Sequence, residues 1–386
     1  PPLVIVPTLL QKDIRQHVPF VDEINTIYVT VMSNIDVNGN ITIRGLQNAI
    51  AESGPLCFSV QGDLAGPVGK ECYEEGSIPS WAGQCKSATW DARLFQAHFT
   101  GCTLLSREPL MLSFDVLNPS FSQQSPEVSI LSPLSYWIVG ESELLHKPGG
   151  GGVTLYGVAG FNDPMQVMVP EFIISTIAQS TPVSGIVNVI SVTIEPSVEL
   201  SGYDLSVIRI TNLTGAEMPT NVVLSAVGGG NAGHELFCGT SGQTSLSIWN
   251  MTTSELILQL CENKSMAVGV QYTFEFSIMN PTQDQESPNI MIEARGRVVN
   301  IEFSPMTKSD AALLDVEGGA SPLKVVVPLL TTKTIAQSTP IAGVINMISL
   351  TLSCNLQLRV PLSISVSGLS GASFGSSDAT VVLDGY

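Results

Sequence analysis

The strongest constraint on the fold of this chain is an internal repeat. The heptapeptide TIAQSTP occurs at 176–182 and again at 334–340, an offset of 158 residues. The match extends to a flanking segment, because PMQVMVP at 164–170 resembles PLKVVVP at 322–328 at the same offset. A diverged third copy opens the chain with PPLVIVP at 1–7. Units of this length are domains in tandem, since solenoid repeats are only about 20–50 residues long.

The repeat divides the chain into three units, which we call repeats 1, 2 and 3. Repeat 1 spans 1–163, repeat 2 spans 164–321 and repeat 3 spans 322–386. The sequence of repeat 3 matches that of repeat 2 as far as TVVLDGY at 380–386. Repeat 3 has no counterpart of Trp249 or of the segment 274–278. We therefore predict that repeat 3 is a partial domain, completed either by another subunit through strand addition or by chain outside this sequence.

Apolar residues alternate with polar ones inside each repeat. In repeat 2, Ile190, Val192 and Ile194 lie on one side of a segment whose other side carries Thr193, and repeats 1 and 3 keep the same spacing. A period of two indicates half-buried β-strands. Short strands separated by Gly, Pro, Asn and Ser turns predict an all-β chain of tandem Ig-like antiparallel β-sandwich domains.

The joints between repeats have an unusual composition. Each one reads Val-x-Val-Pro, at 4–7, 167–170 and 325–328. A freely swinging linker is rich in Gly and Ser, whereas these segments are β-branched and apolar. We predict that each joint runs as a strand directly from one domain into the next, which would make the chain a stiff rod.

The charge balance excludes some partner classes. With 34 Asp and Glu against 16 Lys and Arg, the net charge is −18. Nucleic-acid binding depends on phosphate neutralisation by Lys and Arg, so we expect no nucleic-acid partner. No apolar run reaches the roughly 18 residues of a transmembrane helix, so we expect no membrane span.

Sequons and cysteines favour a secreted, extracellular or cell-surface protein. Four Asn-x-Ser/Thr sites are candidates for N-linked glycans: Asn40, Asn212, Asn250 and Asn263. Cys238 and Cys261 are the cysteines of repeat 2 and are predicted to form a disulfide. Repeat 1 contains four more disulfide candidates: Cys57, Cys72, Cys85 and Cys102.

The pairing in repeat 1 stays open at this stage. Cys102 aligns with Cys261, so its partner is Cys72 or Cys85, and Cys57 takes the other. Cys354 is left over, either free and buried or paired outside this sequence.

Two short motifs have the spacing of a cofactor site or a catalytic site but lack the context that such a site requires. GGGNAG at 228–233 has dinucleotide-site spacing, but no helical period follows to hold a pyrophosphate. GASFG at 371–375 has nucleophile-elbow spacing, but the last histidine, His234, precedes it. No catalytic, cofactor-binding or metal-binding residue is predicted, and we expect no enzyme activity and no cofactor.

The repeat contains a series of motifs in a fixed order: TIAQSTP, N-x-I-S-V-T-I, a Trp, F-x-F-x-I-x-N-P and Q-x-S-P. On these motifs the repeat resembles the tandem β-sandwich repeats of large secreted surface proteins of algae and other protists. It also resembles subunits of extracellular fibrils, including flagellar-hair-like filaments and fibrils from environmental samples. The resemblance covers repeats 1 and 2 and the start of repeat 3. It implies an extracellular architectural role and carries no catalytic residues.

These observations predict a structural subunit of an extracellular filament or surface coat. Its partner would be itself, in a head-to-tail homopolymer joined by strand complementation. The alternative is an adhesin-like stalk whose domains bind glycans or a partner surface.

Overall fold

The computed structural model describes residues 5–60, 85–135, 142–149, 154–228, 231–240, 242–358, 363–371 and 373. These residues form an all-β structure built of β-sandwiches, as the period-two pattern predicts. A single 3₁₀ turn lies at Gly233–Leu236. No helix within the described ranges has the length and apolar character that a membrane crossing requires.

Repeat 1 is a sandwich of two sheets. Its strands are β1 Leu9–Gln16, β2 Ile24–Ser33, β3 Val37–Arg44, β4 Gly54–Pro55, β5 Phe58–Val60, β6 Ser87–Asp91, β7 Gln96–Leu104, β8 Leu110–Leu117, β9 Ser129–Leu131 and β10 Glu143–Leu144. One sheet has the order β1-β2-β8-β5 and the other the order β10-β9-β3-β7-β6-β4. A small hairpin, β11 Thr154–Leu155 and β12 Val158–Ala159, follows before the joint.

Repeat 2 uses the same arrangement with a more continuous sheet. Its strands are β13 Phe172–Gln179, β14 Val187–Pro196, β15 Leu200–Ser201, β16 Val207–Thr211, β17 Asn221–Ser225, β18 Asn231–Ala232, β19 Leu246–Asn250, β20 Glu255–Gln259, β21 Ser265–Met266, β22 Tyr272–Met279, β23 Met291–Arg295, β24 Asn300–Pro305 and β25 Thr307–Lys308. The sheet order is β24-β23-β16-β20-β19-β17-β22-β14-β13-β25. β17 pairs with both β19 and β22 and so connects the two layers. Most pairs are antiparallel; β13–β25 and β18–β22 are parallel.

Repeat 3 is an antiparallel hairpin of β26 Leu330–Gln337 and β27 Ile348–Cys354. Among the described residues, β26 is the only strand paired with β27. The hairpin is the counterpart of β1–β2 and β13–β14. All three hairpins carry the same register shift near the start of the first strand.

Each sandwich has its own apolar core. Ile27, Val29 and Val31 are fully buried in repeat 1, as are Phe274 and Phe276 in repeat 2. These are the residues that the alternating pattern places inward. Trp90 and Trp249 are both buried at equivalent positions, as expected for residues of the sandwich core.

The joint differs from the predicted continuous strand. Val167 and Met168 form isolated bridges to Gln123 and Phe20, and the chain is irregular from Val169 until β13 begins at Phe172. The reason is the proline at the end of each Val-x-Val-Pro segment, because proline has no N–H to continue a ladder. The joint is therefore held by its contacts with repeat 1, described next.

Candidate functional site: the joint between repeats

The glutamine of the heptapeptide lies in a buried network of side-chain amides. Gln179 is the last residue of β13, Asn188 lies in β14, and Asn280 directly follows β22. The Asn188 Nδ2 group donates to Gln179 Oε1 and to Asn280 Oδ1, both at 2.9 Å. The relative exposure of these three side chains is 6%, 0% and 1%. Buried amides need hydrogen-bond partners, and Asn188 supplies one to each of the other two.

Repeat 1 contains the same network despite its different heptapeptide, DIRQHVP. Asn25 Nδ2 donates to Gln16 Oε1 at 2.8 Å and to Asn118 Oδ1 at 2.9 Å. The third residue also has the same role in both repeats, because Asn118 and Asn280 each donate to two backbone carbonyls of the turn that follows the glutamine. We call these Gln–Asn–Asn sets the amide triads.

Each triad binds the joint segment that leads into the following repeat. In repeat 2, Gln179 Nε2 donates to the carbonyls of Gly319 and Lys324, both at 2.8 Å, and Leu323 N donates to Gln179 Oε1 at 2.8 Å. In repeat 1, Gln16 makes the corresponding contacts with Met165 and its neighbours. One glutamine side chain therefore binds both the first hairpin of its own sandwich and the segment through which the chain leaves that sandwich.

The Gln and Ser side chains of the Q-x-S-P motif bind the same joint segment. Gln285 exchanges backbone hydrogen bonds with Val325, and its Nε2 donates to the carbonyl of Leu323. Ser287 Oγ donates to the carbonyl of Pro322 at 2.7 Å. Gln123 and Ser125 make the equivalent contacts in repeat 1. We call the segments 164–168 and 322–326, held in this way, the latch segments.

Each latch segment places one apolar side chain in the core of the preceding repeat. Met165 and Leu323 are both fully buried, and both have a left-handed backbone with φ of 57° and 59°. This conformation costs a residue other than glycine roughly 1–2 kcal/mol. The same unfavourable conformation occurs at both joints, and at both the backbone N–H of this residue donates to the glutamine of the amide triad.

Repeat 3 has only part of this arrangement. Asn346 Nδ2 donates to Gln337 Oε1 at 2.9 Å, as in the other repeats. Both side chains are exposed, and within the described residues no counterpart of Asn280 or of the latch segment is present. The apolar face of the hairpin is also open, because Ile335, Ile348 and Leu350 are 53%, 43% and 43% exposed. Their repeat 2 counterparts Ile177, Ile190 and Val192 are at most 1% exposed.

The joint between repeats 1 and 2 is packed with apolar side chains. Phe20 of repeat 1 is 2% exposed and belongs to the same hydrophobic cluster as the core of repeat 2. Its ring centroid lies 4.9 Å from that of Tyr156. Burial, together with the nearby carboxylates of Asp204 and Glu23, raises the pKa of Tyr156 to about 12. The phenol is therefore neutral at physiological pH, which suits its place at an apolar contact.

Repeat 1 also has a shallow cavity of about 310 Å³ beside β1. The Arg15 guanidinium lies 5.0 Å from the centroid of the Tyr28 ring, and His146 Nδ1 lies 3.6 Å from Asp13 Oδ1. Lys147 completes the polar lining. The positions of Asp13, Arg15 and Tyr28 hold small uncharged residues in repeat 2: Thr176, Ala178 and Ser191.

The structure resolves the cysteine pairing that the sequence left open. Cys85 pairs with Cys102, and Cys238 pairs with Cys261 as predicted. Cys57 also takes part in a disulfide, and Cys72 lies outside the described residues. Cys354 is a free thiol of intermediate burial.

The candidate glycosylation sites are spread over the surface. Asn40, Asn212 and Asn263 are exposed, whereas Asn250 is half-buried at the end of β19. Glycans at these four sites remain a prediction. Within the described ranges, no three His, Cys, Asp or Glu side chains are grouped as a metal site.

No family model and no curated protein sequence matches this chain. Among solved structures, the C-terminal domain of the antigen I/II-family protein AspA of Streptococcus pyogenes is similar, with a TM-score of 0.38 and 8% identity over 78% of this chain and 100% of that one. The collagen adhesin of S. aureus gives a TM-score of 0.20 and 9% identity over 77% of this chain and 90% of that one. Likeness this weak carries no functional argument, and the resemblance to algal and protist proteins stays a prediction.

Sequence reasoning found the repeat but missed the amide triads and the latch segments. One signal was available: the glutamine and both asparagines occur at equivalent positions in repeats 1 and 2, although the heptapeptide around Gln16 has diverged. Polar residues retained inside otherwise changed apolar segments indicate a shared buried contact.

Proposed function

We propose that this chain is a structural subunit of an extracellular filament or surface coat, in which rigidly joined β-sandwiches transmit force. The observation that carries the proposal is the open hairpin of repeat 3. It has the pairing register, the register shift and the Gln–Asn hydrogen bond of a complete repeat, yet its apolar face is exposed. Such a preformed edge favours strand addition from another subunit, and head-to-tail contacts of this kind build open-ended polymers.

The amide triads support the mechanical part of this proposal. Each one links the first hairpin of a repeat to the latch segment, so separating two repeats must break a buried hydrogen-bond network. Leaving buried amides without partners costs about 1–3 kcal/mol for each group. A joint of this kind resists bending and pulling better than a Gly/Ser linker.

The proposal is tested by introducing a charge on the open face. Leu350→Lys places an ammonium group where strand addition would bury it, so we expect the variant to stay monomeric under conditions in which the wild-type chain forms filaments. Thr351→Lys, on the opposite face of β27, is the matched control and is expected to assemble normally. Light scattering and electron microscopy measure the outcome. A wild-type chain that stays a monodisperse monomer would refute the filament proposal.

An adhesin-like stalk is the second candidate, and the cavity of repeat 1 favours it. Its charged and aromatic lining is absent from the equivalent surface of repeat 2, and the guanidinium stacked on Tyr28 offers a site for an anionic group. A carboxylated saccharide that binds the wild-type chain, and not an Arg15→Ala variant, would support the stalk over the filament.

A further inference from the structure

We infer that the cavity beside β1 binds one hexuronic-acid residue of a saccharide, with Arg15 on the sugar carboxylate and Asp13 on the ring hydroxyls. Asp13 thereby determines the specificity of the site, because it favours a hydroxylated ring over other carboxylates. This inference rests on the adhesin-like stalk, the second candidate function, and specifies its ligand.

The fold does not require the side chains that line this cavity. The hairpins that open the three repeats share one register, so they can be compared position by position. The positions of Asp13, Arg15 and Tyr28 hold small uncharged residues in the other two hairpins: Thr176, Ala178, Ser191, Thr334, Ala336 and Ser349. Both of those hairpins form without charges, so packing does not account for the charged and aromatic set of repeat 1.

The segment that runs parallel to the first strand also differs between repeats. His146 lies beside Asp13 in repeat 1, whereas Thr307 lies beside Thr176 in repeat 2. Side chains from β1, from β2 and from this parallel segment therefore all differ from their counterparts around the same cavity. A change on three separate segments at one place indicates a site rather than scattered surface variation.

Arg15 supplies a cation that is held in place. It lies opposite Tyr28 in the β1–β2 ladder, with its guanidinium 5.0 Å from the centroid of that ring. Lys147 adds a second positive charge to the lining, and its Nζ donates to the carbonyl of Ser125 at 3.1 Å. In the part of the chain that the structure describes, neither cation forms an ion pair, although the net charge is −18. A guanidinium in this state suits a carboxylate, which it binds through two parallel hydrogen bonds.

Asp13 supplies hydrogen-bond acceptors on the same face of β1. Residues two apart on a strand are separated by about 6.6 Å along it, so Asp13 and Arg15 form a negative and a positive pole at that spacing. Asp13 Oδ2 accepts from Gln11 Nε2 at 2.6 Å, and Oδ1 lies 3.6 Å from His146 Nδ1. The side chain is 50% exposed. Because an ionised carboxylate has about four acceptor positions, Asp13 retains capacity for hydroxyl donors.

The two poles together define the ligand class. Sulfate or phosphate would contact Arg15 but gain nothing from Asp13, and an acidic peptide would bring a further carboxylate towards Asp13 and be repelled. A hexuronic acid has one carboxylate and several hydroxyls on a single ring, so it satisfies both poles. The cavity volume of about 310 Å³ lies at the lower end of the range for small-molecule sites, which suits one sugar ring.

The inference is tested by ligand-observed NMR titration of the full chain with two carboxylates. One is galacturonic acid, and the other is cyclohexanecarboxylate, which has a six-membered ring and no hydroxyls. We expect the wild-type chain to bind galacturonic acid at least about ten-fold more tightly, because the hydroxyls hydrogen-bond to Asp13. Asp13→Ala should bring the affinity ratio close to one while binding of cyclohexanecarboxylate persists, and Arg15→Ala should lose both ligands.

Arg44→Ala is the matched control, since it removes an exposed arginine from the other sheet of repeat 1. This variant should bind both ligands as the wild-type chain does. A loss of binding in the Arg44 variant would show that general attraction of anions, rather than the cavity, explains the titration.

Four results would overturn the inference. Galacturonic acid could show no saturable binding. The wild-type chain could bind both carboxylates equally, which would leave only an anion site. The affinity ratio could survive in Asp13→Ala, which would remove the role of this residue. A peptide of four glutamates could bind more tightly than galacturonic acid, which would assign the cavity to acidic protein segments.

The stalk proposal fails separately from this one. Galacturonic acid could bind to a chain that does not attach to a surface coated with polygalacturonate, which would refute the stalk and keep the site. Attachment that is unchanged in Arg15→Ala would refute the site and keep the stalk.

Discussion

At the scale of single residues, the amide triads explain why repeats 1 and 2 share few residues apart from the triad itself. Gln16 and Gln179 are surrounded by different neighbours, since DIRQHVP and TIAQSTP share few residues, yet both accept from an asparagine and bind a latch segment. Apolar positions tolerate exchange among Ile, Val and Leu, because packing needs volume and shape. A triad position needs a donor and an acceptor at fixed points, which few side chains supply.

The triad gives a prediction with a control inside the same chain. Asn188→Ala removes the bonds of Asn188 to Gln179 Oε1, to Asn280 Oδ1 and to the backbone N–H groups of Ser180 and Thr181 in a buried site, so we expect repeat 2 to lose about 3 kcal/mol or more of its unfolding free energy. Asn346→Ala removes the equivalent side chain at an exposed site and should cost less than about 1 kcal/mol. Hydrogen exchange of the β14 and β27 amides measures both. Equal effects would contradict a buried role for the triad.

The residue scale also shows how far the sequence predicts the site. Alternation identified buried residues such as Ile190 and Phe274, because a strand's period is a local property. The Cys238–Cys261 pair was predictable because these are the two cysteines of repeat 2. The joint was not predictable, because the partners of Gln179 at Gly319 and Lys324 lie more than a hundred residues away. The left-handed conformation of Leu323 gave no signal, since leucine rarely adopts it.

At the scale of elements, the three first hairpins show that their geometry is encoded locally. β26–β27 has the register and the register shift of β13–β14, although one has no further sheet partner in the described residues and the other lies inside a sandwich. The turn after the glutamine explains this, because in both hairpins the asparagine Oδ1 accepts from its backbone N–H groups. The geometry of the hairpin therefore does not depend on the rest of its sandwich.

A disulfide stabilises a second element, the β19–β20 hairpin. Cys238 and Cys261, 23 residues apart, close a loop around β19 and β20. A double Cys238→Ala and Cys261→Ala variant should lose about 3 kcal/mol of unfolding free energy, mainly because the unfolded chain gains freedom. Urea unfolding measures the change. Cys354→Ala, which alters a free thiol, is the control and should leave the midpoint in place; a shift as large as that of the double variant would contradict this account.

At the scale of the whole molecule, the joint couples the stabilities of neighbouring repeats. Phe20 belongs to repeat 1 by sequence and to the core cluster of repeat 2 by contact. Phe20→Ala should therefore lower the unfolding free energy by roughly 3–5 kcal/mol and split one coupled thermal transition into two. Scanning calorimetry detects the split. Phe121→Ala, at a side chain that is 51% exposed, is the control. A single transition in the Phe20 variant would show that the repeats melt together for another reason.

The latch segments also have a consequence for synthesis on the ribosome. Met165 and Leu323 are encoded at the start of one repeat and fill the core of the one before it. The core of a nascent repeat 2 thus lacks Leu323 until residues 322–326 have emerged, when the next hairpin is about to follow. Since domains fold from the N-terminus as they are made, translation itself closes the sandwiches one after another in a fixed order.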